Sequence, residues 1–356
     1  MTLAISDYEF SHNLDNILNN LNQSKNWIPS IVIGVSGGPD SMALSFLFKN
    51  WSKKNNCNLL AVIIDHKLRS NSSKEAFQTQ KNLLKLGIKS IISPLELQTI
   101  NGGIQERARN ERFKVFFDIS NSKNSILAIA QNYEDQVETL LMRMFKNSGF
   151  FGAGGIKELS FRNNTFIIRP LLKFSKKRLI ETCDINKLNF FIDPSNFDSK
   201  FERVRIRHSL KYFNKINFDI SQIYMMGSAI TKISNEIEKI FFAKAKDNFT
   251  IHPLGWISID SDWFFKTPKI ILIVIMRKLL MKIGGAMYPP NREKLNNLID
   301  YMFIYKDNFY KMPSKTLAGC KIRFWKDKII ILRLVRSELP FRLIKNWNKI
   351  IFDNRW

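Results

Sequence analysis

Ser36-Gly37-Gly38-Pro39-Asp40-Ser41 is the hexapeptide whose residue types and order point most directly to chemistry. It sits between an apolar run, Ile31 to Val35, and a stretch with helical periodicity, Ser41 to Lys49. A strand-to-helix junction of this kind aims the first amides of the helix into the turn. The glycines let the main chain approach a ligand closely, and the helix dipole favours an anion. Ser36 and Ser41 add hydroxyl donors. No Gly-Lys-Ser/Thr follows, so this is not a Walker A loop. The competing reading is a turn in which Asp40 and Ser41 only cap a helix. The full hexapeptide in this context favours an anion cradle.

A second constellation is Glu134-Asp135-Gln136-Val137-Glu138. Asp135 and Glu138 are three residues apart, and Glu134 and Glu138 four apart, so the carboxylates share one helical face. Val137, Leu140, Leu141, Met144 and Phe145 form the opposite, core-facing stripe. Acids in a first helical turn also stabilise the dipole. A turn that opens onto the ligand crevice at the strand ends gives them chemistry as well. Arg107, Arg109 and Arg112 suit phosphate contact and a solvated face equally. His66 directly follows an apolar strand, which favours a place in a site over a buried structural histidine.

The elements that must position these residues alternate over the first 130 or so positions. Ile31 to Val35, Leu59 to Ile64, Ser90 to Ser93 and Ile126 to Ala130 read as strands. Ser41 to Lys49, Lys74 to Leu86, Gln105 to Ile119 and Glu134 to Asn147 read as the intervening helices. Strands without polar alternation, separated by helices, predict an α/β parallel sheet covered on both faces. Ligands of such sheets sit at the carboxyl ends of the strands, here just after Val35, Ile64 and Ala130. A glycine-rich joint, Ser148 to Gly155, follows. The region from about Ile220 to Ile304 reads as mainly helical. In the tail, Thr316 to Cys320 and Lys328 to Leu332 are candidate strands. The expected domains are 1–215, 216–305 and a small basic α+β region, 306–356.

The chain has 356 residues, 45% of them hydrophobic and 24% charged, with a formal net charge of +24. Ordinary apolar content excludes a disordered or fibrous chain. The charge points to a polyanionic partner. AT-biased coding, visible in the Lys, Asn, Ile and Phe content, also raises net charge. However, Lys146 to Lys215 and Lys311 to Trp356 each carry a net +9, and coding bias predicts no such concentration. Cys57, Cys183 and Cys320 are far apart and form no CxxC pair, which argues against a disulfide scaffold, a zinc ribbon or a sulfur relay. They suit a reducing cytosol. Met1 to Phe10 lacks a signal-peptide layout. Ile270 to Met276, the longest aliphatic run, is too short to span a bilayer. A soluble, cytoplasmic protein without a membrane partner is expected.

The hexapeptide resembles the PP-loop of the ATP pyrophosphatases, which cleave ATP to AMP and pyrophosphate by adenylating a substrate oxygen. Further elements, in order, are similar to those of the tRNA(Ile)-lysidine synthetase family. Asp65-His66-Lys67-Leu68-Arg69 resembles its "DHxLR" element. Gly103 to Arg109, with Arg112 and Phe113, resembles its arginine-bearing helix. Glu134 to Thr139 matches "DDQxET", and Ser148-Gly149 with Gly152 fits the loop that follows. Arg169-Pro170-Leu171-Leu172, Asp193 to Asn196, and Arg203, Arg205, Ile206 and Arg207 complete the set. The matches run from about Ile31 to Leu210, roughly half the chain.

The resemblance implies a Rossmann-like PP-loop domain and a ligase that forms a carbon–nitrogen bond. ATP adenylates the carbon-2 oxygen of the wobble cytidine in a CAU-anticodon tRNA(Ile), and free L-lysine displaces AMP to give lysidine. It implies ATP binding at Ser36, Gly37, Gly38, Pro39, Asp40, Ser41, Asp65 and His66. Catalytic roles fall to Asp40, Asp135 and Glu138, with Mg²⁺ on Asp40 and Asp135. Contacts to tRNA fall to Arg107, Arg109, Arg112, Asn132, Arg169, Arg203, Arg205 and Arg207. Trp325 or Trp347 would be available for base stacking, although tryptophans more often fill cores. A homodimer is left open.

Three positions depart from the family pattern: Gln131 for its usual His, Glu134 for Asp, and Val204 for Asn. Gln131 can donate a hydrogen bond but carries no proton at neutral pH. Two other readings compete. One is a PP-loop tRNA modifier of the 2-thiolation type, disfavoured by the cysteine placement. The other is a non-catalytic RNA-binding PP-loop protein, disfavoured by the intact Asp40, Ser41 and Asp135.

Overall fold

The apolar runs of the first half pair into one sheet in a computed structural model. It describes residues 3–21, 30–65, 67, 71–95, 104–146, 154–192, 200, 202–215, 219–252, 255–285 and 289–334. The chain divides into two compact units, Met1–Arg143 with Gly155–Ser228, and Met144–Gly154 with Ala229–Trp356.

In the first unit the order is α1 (Asp7–Asn19), β1 (Ser30–Val35), α2 (Pro39–Lys54), β2 (Leu59–Asp65), α3 (Ser72–Lys85) and β3 (Lys89–Pro94). Then come α4 (Ile104–Ser122), β4 (Ser125–Ile129), α5 (Tyr133–Phe145), β5 (Leu159–Arg162), β6 (Thr165–Ile168), α6 (Lys176–Ile185) and α7 (Glu202–Lys215). The sheet order is β3-β2-β1-β4-β6-β5. All pairs are parallel except the β5–β6 hairpin at one edge. Chain order reverses between β1 and β4, so the carboxyl ends of these two neighbours flank the crevice where ligands of open α/β sheets bind.

Burial explains the arrangement. Ile31, Ile33, Leu44, Leu47, Phe48, Ala61, Ile63 and Ile126 share one core under the sheet. Strands covered on both faces need the continuous apolar runs seen in the sequence. Gly34 interrupts β1 because a Cβ there would lie 2.9 Å from the ring of Phe116 on α4. Only a bare backbone lets that helix pack so closely.

The helix α8 (Ile220–Ala245) follows, and then β7 (Phe249–Ile251), β8 (Ile257–Asp260), α9 (Ser261–Lys266), α10 (Lys269–Gly284) and α11 (Arg292–Ile304). β9 (Lys315–Leu317), β10 (Cys320–Trp325) and β11 (Lys328–Arg333) complete an antiparallel sheet of order β7-β8-β11-β10-β9. Ile257, Ile259, Leu272, Ile275, Met276, Leu279, Leu298, Ile322, Ile329 and Ile331 form the second core.

One expectation gains a detail here and another changes. The stretch from 220 to 304 is mainly helical, as expected, but β7 and β8 interrupt it: they pair with each other, and β8 pairs with β11. Thr316 to Cys320 is not one strand but the turn of a hairpin. Ala318 (φ 51°) and Gly319 (φ 74°) are both left-handed, the conformation that reverses a two-residue hairpin. Among the described residues no helix is long and apolar enough to cross a membrane.

Candidate active site

β1 delivers Ser36–Ser41 to the crevice. Gly37 adopts φ +79°, and its carbonyl accepts the amide of Phe191 at 2.9 Å. Gly38 occupies the N-cap of α2 and offers no side chain to cap it, and Pro39 opens the first turn. The first amides of a 16-residue helix are thus left facing the turn, the arrangement that holds phosphate. Ser41 staples the loop internally: its Oγ accepts from the Ser36 amide (3.2 Å) and donates to the Gly38 carbonyl (3.0 Å). Its hydroxyl is therefore a brace, whereas Ser36 is exposed.

Asp40, in the first turn of α2, has Oδ1 buried without a hydrogen-bond partner among the described residues. Its Oδ2 lies 4.0 Å from Lys176 Nζ of α6. Burial pushes its carboxyl above the ordinary range; Lys176 opposes the shift and Asp135 adds to it.

β4 delivers the second half of the crevice. Asn132 caps α5 reciprocally with Asp135: Asn132 Oδ1 accepts the Asp135 amide (3.0 Å), and Asp135 Oδ2 accepts the Asn132 amide (3.2 Å). Asp135 Oδ1 remains, 3.9 Å from Arg203 on α7. Glu134 Oε2 accepts the Lys176 amide at 2.8 Å and so caps α6. Glu138 is fully buried and ion-paired with Arg207 through Nε and Nη2. Burial raises the Glu138 carboxyl although Arg207 pulls it back, and the Glu138 bond raises Arg207 against its own burial. Arg203 and Arg207, four apart on α7, meet Asp135 and Glu138, three apart on α5. Val137 and Leu141 pack beside them against Ile206 and Leu210.

Asp65 stands apart from this cluster. Burial would raise its carboxyl, but bonds from Ser73 Oγ (2.5 Å), the Lys67 amide (3.1 Å) and Ser72 Oγ (2.8 Å) outweigh it and hold it low. Both oxygens are taken by the chain itself, so Asp65 ties the end of β2 to the start of α3. His66 lies outside the described residues, as do the side chain of Arg107, Asp193 to Asn196 and Trp347.

On α4, Arg109 lies 5.6 Å over the Phe113 ring, and its buried Nε has no partner among the described residues. Burial, then Arg109 and Arg203, push Arg112 down to about 10. Arg169, directly after β6, is also lowered to about 10 by burial and by Arg162 and Arg109. The structure therefore brings Arg112 and Arg203 together. It separates Arg205, which is exposed on α7 and donates to the Lys200 carbonyl at 3.0 Å. Trp325, expected in a core, is 53% exposed. Lys176 escapes sequence reasoning because no motif contains it.

Among the described residues no three His, Cys, Asp or Glu side chains are grouped to hold a metal. Mg²⁺ needs fewer, because it takes one or two carboxylates and completes its shell with phosphate oxygens and water. Asp40, with its orphaned buried oxygen, and Asp135, whose charge reaches it, fit that demand.

The loop, sheet order and crevice define a class. Residues 7–212 match the family described as a PP-loop domain. The U34-tRNA thiolase NcsA from Methanococcus maripaludis, solved with its 4Fe-4S cluster, superposes with a TM-score of 0.50. It is 17% identical and covers 64% of this chain and 79% of its own, a likeness of fold alone. The tRNA(Ile)-lysidine synthase of Wolbachia pipientis wMel is 31% identical over 347 residues, 95% of this chain and 78% of that protein. That of Rickettsia bellii (strain OSU 85-389) is 27% identical over 359 residues, 98% and 78% respectively. The chain belongs to the tRNA(Ile)-lysidine synthase family.

Proposed function

We propose that this chain is an ATP-dependent ligase that converts the wobble cytidine of a CAU-anticodon tRNA(Ile) to lysidine. The observation that carries the reading is the uncapped N-terminus of α2, whose Asp40 keeps a buried oxygen with no hydrogen-bond partner among the described residues and feels the charge of Asp135 on α5. In the first step the cytidine carbon-2 oxygen attacks the α-phosphorus of ATP and pyrophosphate leaves. The Ser36–Ser41 loop binds pyrophosphate through helix-terminal amides, which stabilise charge without reorganising. In the second step the amine of free L-lysine attacks carbon 2, AMP leaves and the amine loses its proton. Mg²⁺, when bound, would be held by Asp40 and Asp135 and would neutralise phosphate charge.

The 2-thiolation alternative is disfavoured by the thiols. Cys183 and Cys320 are buried, and burial raises Cys57 to about 11 and Cys183 to about 12. A thiol acts as a nucleophile only as the thiolate.

In this reading residues 1–215 carry the ATP chemistry, and 216–305 and 306–356 engage tRNA in the cytoplasm. On β10, Lys321, Arg323 and Trp325 alternate outward, a pattern that offers cations to phosphates and a ring to a base. Arg109, Arg112, Arg169 and Arg203 supply further cations, with Arg107 and Arg205 from the sequence motifs.

The test is AMP release from ATP with Mg²⁺, lysine and transcribed CAU-anticodon tRNA, omitting one component at a time. Release should need all four. Asp40→Asn should abolish tRNA adenylation while the protein stays folded, and a folded Asp40→Asn protein with wild-type turnover would reject the assignment.

A further inference from the structure

Arg169 is held in an unusual way. It directly follows β6, and Gln131 comes two residues after β4, the parallel neighbour, so both lie at the carboxyl edge of the sheet. Arg169 Nε donates to Gln131 Oε1 at 2.6 Å. Its Nη1 donates to the Lys157 carbonyl (2.8 Å) and to Ser160 Oγ (2.9 Å). All three acceptors are neutral. No carboxylate pairs with Arg169 among the described residues, and the charges that bear on it, Arg162 of β5 and Arg109 of α4, are positive. Three of its five donor hydrogens are consumed, and both on Nη2 are left over among the described residues. A partly buried guanidinium without a counter-ion is costly, so evolution would normally supply an acid. Here the chain fixes the side chain and leaves its charge uncompensated.

We infer that Gln131 is a positioning residue that, with the Lys157 carbonyl and Ser160, aligns Arg169 for a phosphate oxyanion of the substrate without neutralising it. This rests on the proposed reading, in which the same edge of the sheet receives ATP and tRNA, either of which supplies the phosphate. A glutamine suits the task because it accepts the Nε proton and carries no charge. A carboxylate there would hold Arg169 equally well but consume its charge.

That difference makes the test. Gln131→Glu should fold with unchanged or raised thermal stability, yet bind its anion about tenfold or more weakly, the worth of one charge-assisted bond. Titrating ATP and tRNA separately identifies the source. If the phosphate belongs to tRNA, the slope of log affinity against log salt should also become shallower by about 0.7–0.9. Inorganic pyrophosphate is a third probe that needs neither tRNA nor turnover. Loss of affinity for any of the three with stability intact supports the inference, even should no lysidine form. Wild-type affinity for all three overturns it. A wild-type protein that binds none of them overturns both this inference and the functional reading.

Should Gln131→Glu fail to fold, Gln131→His decides. A neutral imidazole accepts from Arg169 and an imidazolium cannot. The Arg169 guanidinium beside it disfavours the imidazolium and holds that imidazole below its ordinary value of about 6.5. Affinity relative to wild type should therefore be near unity at pH 8 and fall as the pH drops below about 6. A merely structural contact would give a pH-independent ratio, and that result would reject the inference.

Discussion

Glu138 shows how firmly a residue of the candidate site can be tied into the fold. It is completely buried on α5, and Arg207 is its only ion-pair partner among the described residues. Removing one member of a buried pair costs roughly 3–5 kcal/mol, because the other charge is stranded. Arg207→Ala should therefore destabilise the protein by about 3 kcal/mol at neutral pH. The pH dependence follows from the direction of the shift. Burial already holds the Glu138 carboxyl above its ordinary range, and losing Arg207 takes away the influence that opposes this. A folded-state value above the unfolded one gives stability that is complete below the unfolded value, about 4.3, and lost as pH rises through the folded value. The deficit of Arg207→Ala against wild type should thus be smallest near pH 4 and grow toward neutrality, as read by urea titration across that range. A deficit independent of pH would mean that the pair is not electrostatically coupled. Asp135 and Glu138 were legible in the sequence because three-residue spacing places them on one face. Their partners Arg203 and Arg207 stand about 70 positions away, and Lys176 belongs to no motif. A pairing of that separation leaves no local periodicity to read.

The start of α5 joins element to chemistry. Asn132 and Asp135 satisfy each other's amides, so the acid that reaches toward Arg203 is oriented by the same bonds that begin the helix. Asn132→Ala should cost about 1 kcal/mol, the usual worth of an N-cap. It should also lower turnover at saturating ATP, since Asp135 loses its brace. Asn132→Ser, which can still cap, should restore most of the stability. Equal stability of the alanine and serine variants by urea denaturation would refute the capping role. Strands and helices of the parallel sheet were legible because β1, β2 and β4 are largely apolar runs without polar alternation. The β5–β6 hairpin was not, since its strands have four residues each. Its turn did carry a signal in Asn163-Asn164, both left-handed at φ 46° and 58°, a conformation asparagine tolerates. β7 and β8 were hidden among helical stretches. The pairing of β8 with β11, some 70 residues on, is again a long-range fact.

At the scale of the whole molecule, the surplus of +24 has to be reconciled with folding, since it repels itself in the compact state. The two segments of net +9 fall largely in different units. One includes α6 and α7 of the first, and the other includes β9 to β11 of the second. A small nucleotide bound at the end of α2 meets few of these charges, whereas a tRNA can neutralise many at once. The two ligands should therefore separate cleanly with ionic strength. Log affinity for tRNA should fall linearly with log salt at about −0.7 to −0.9 per phosphate contact, and ATP affinity should change far less. Lys321 and Arg323 are exposed on the outward face of β10, and no carboxylate pairs with either among the described residues. Lys321→Gln with Arg323→Gln should reduce the tRNA slope by roughly 1.4–1.8 while ATP binding and the melting temperature stay at wild-type values. Fluorescence titrations between low and high salt measure both slopes. A tRNA affinity indifferent to salt would make the surplus a product of coding bias. An unchanged slope in the double variant would move the contact from β10 to the other basic segment, which carries Arg169 and Arg203.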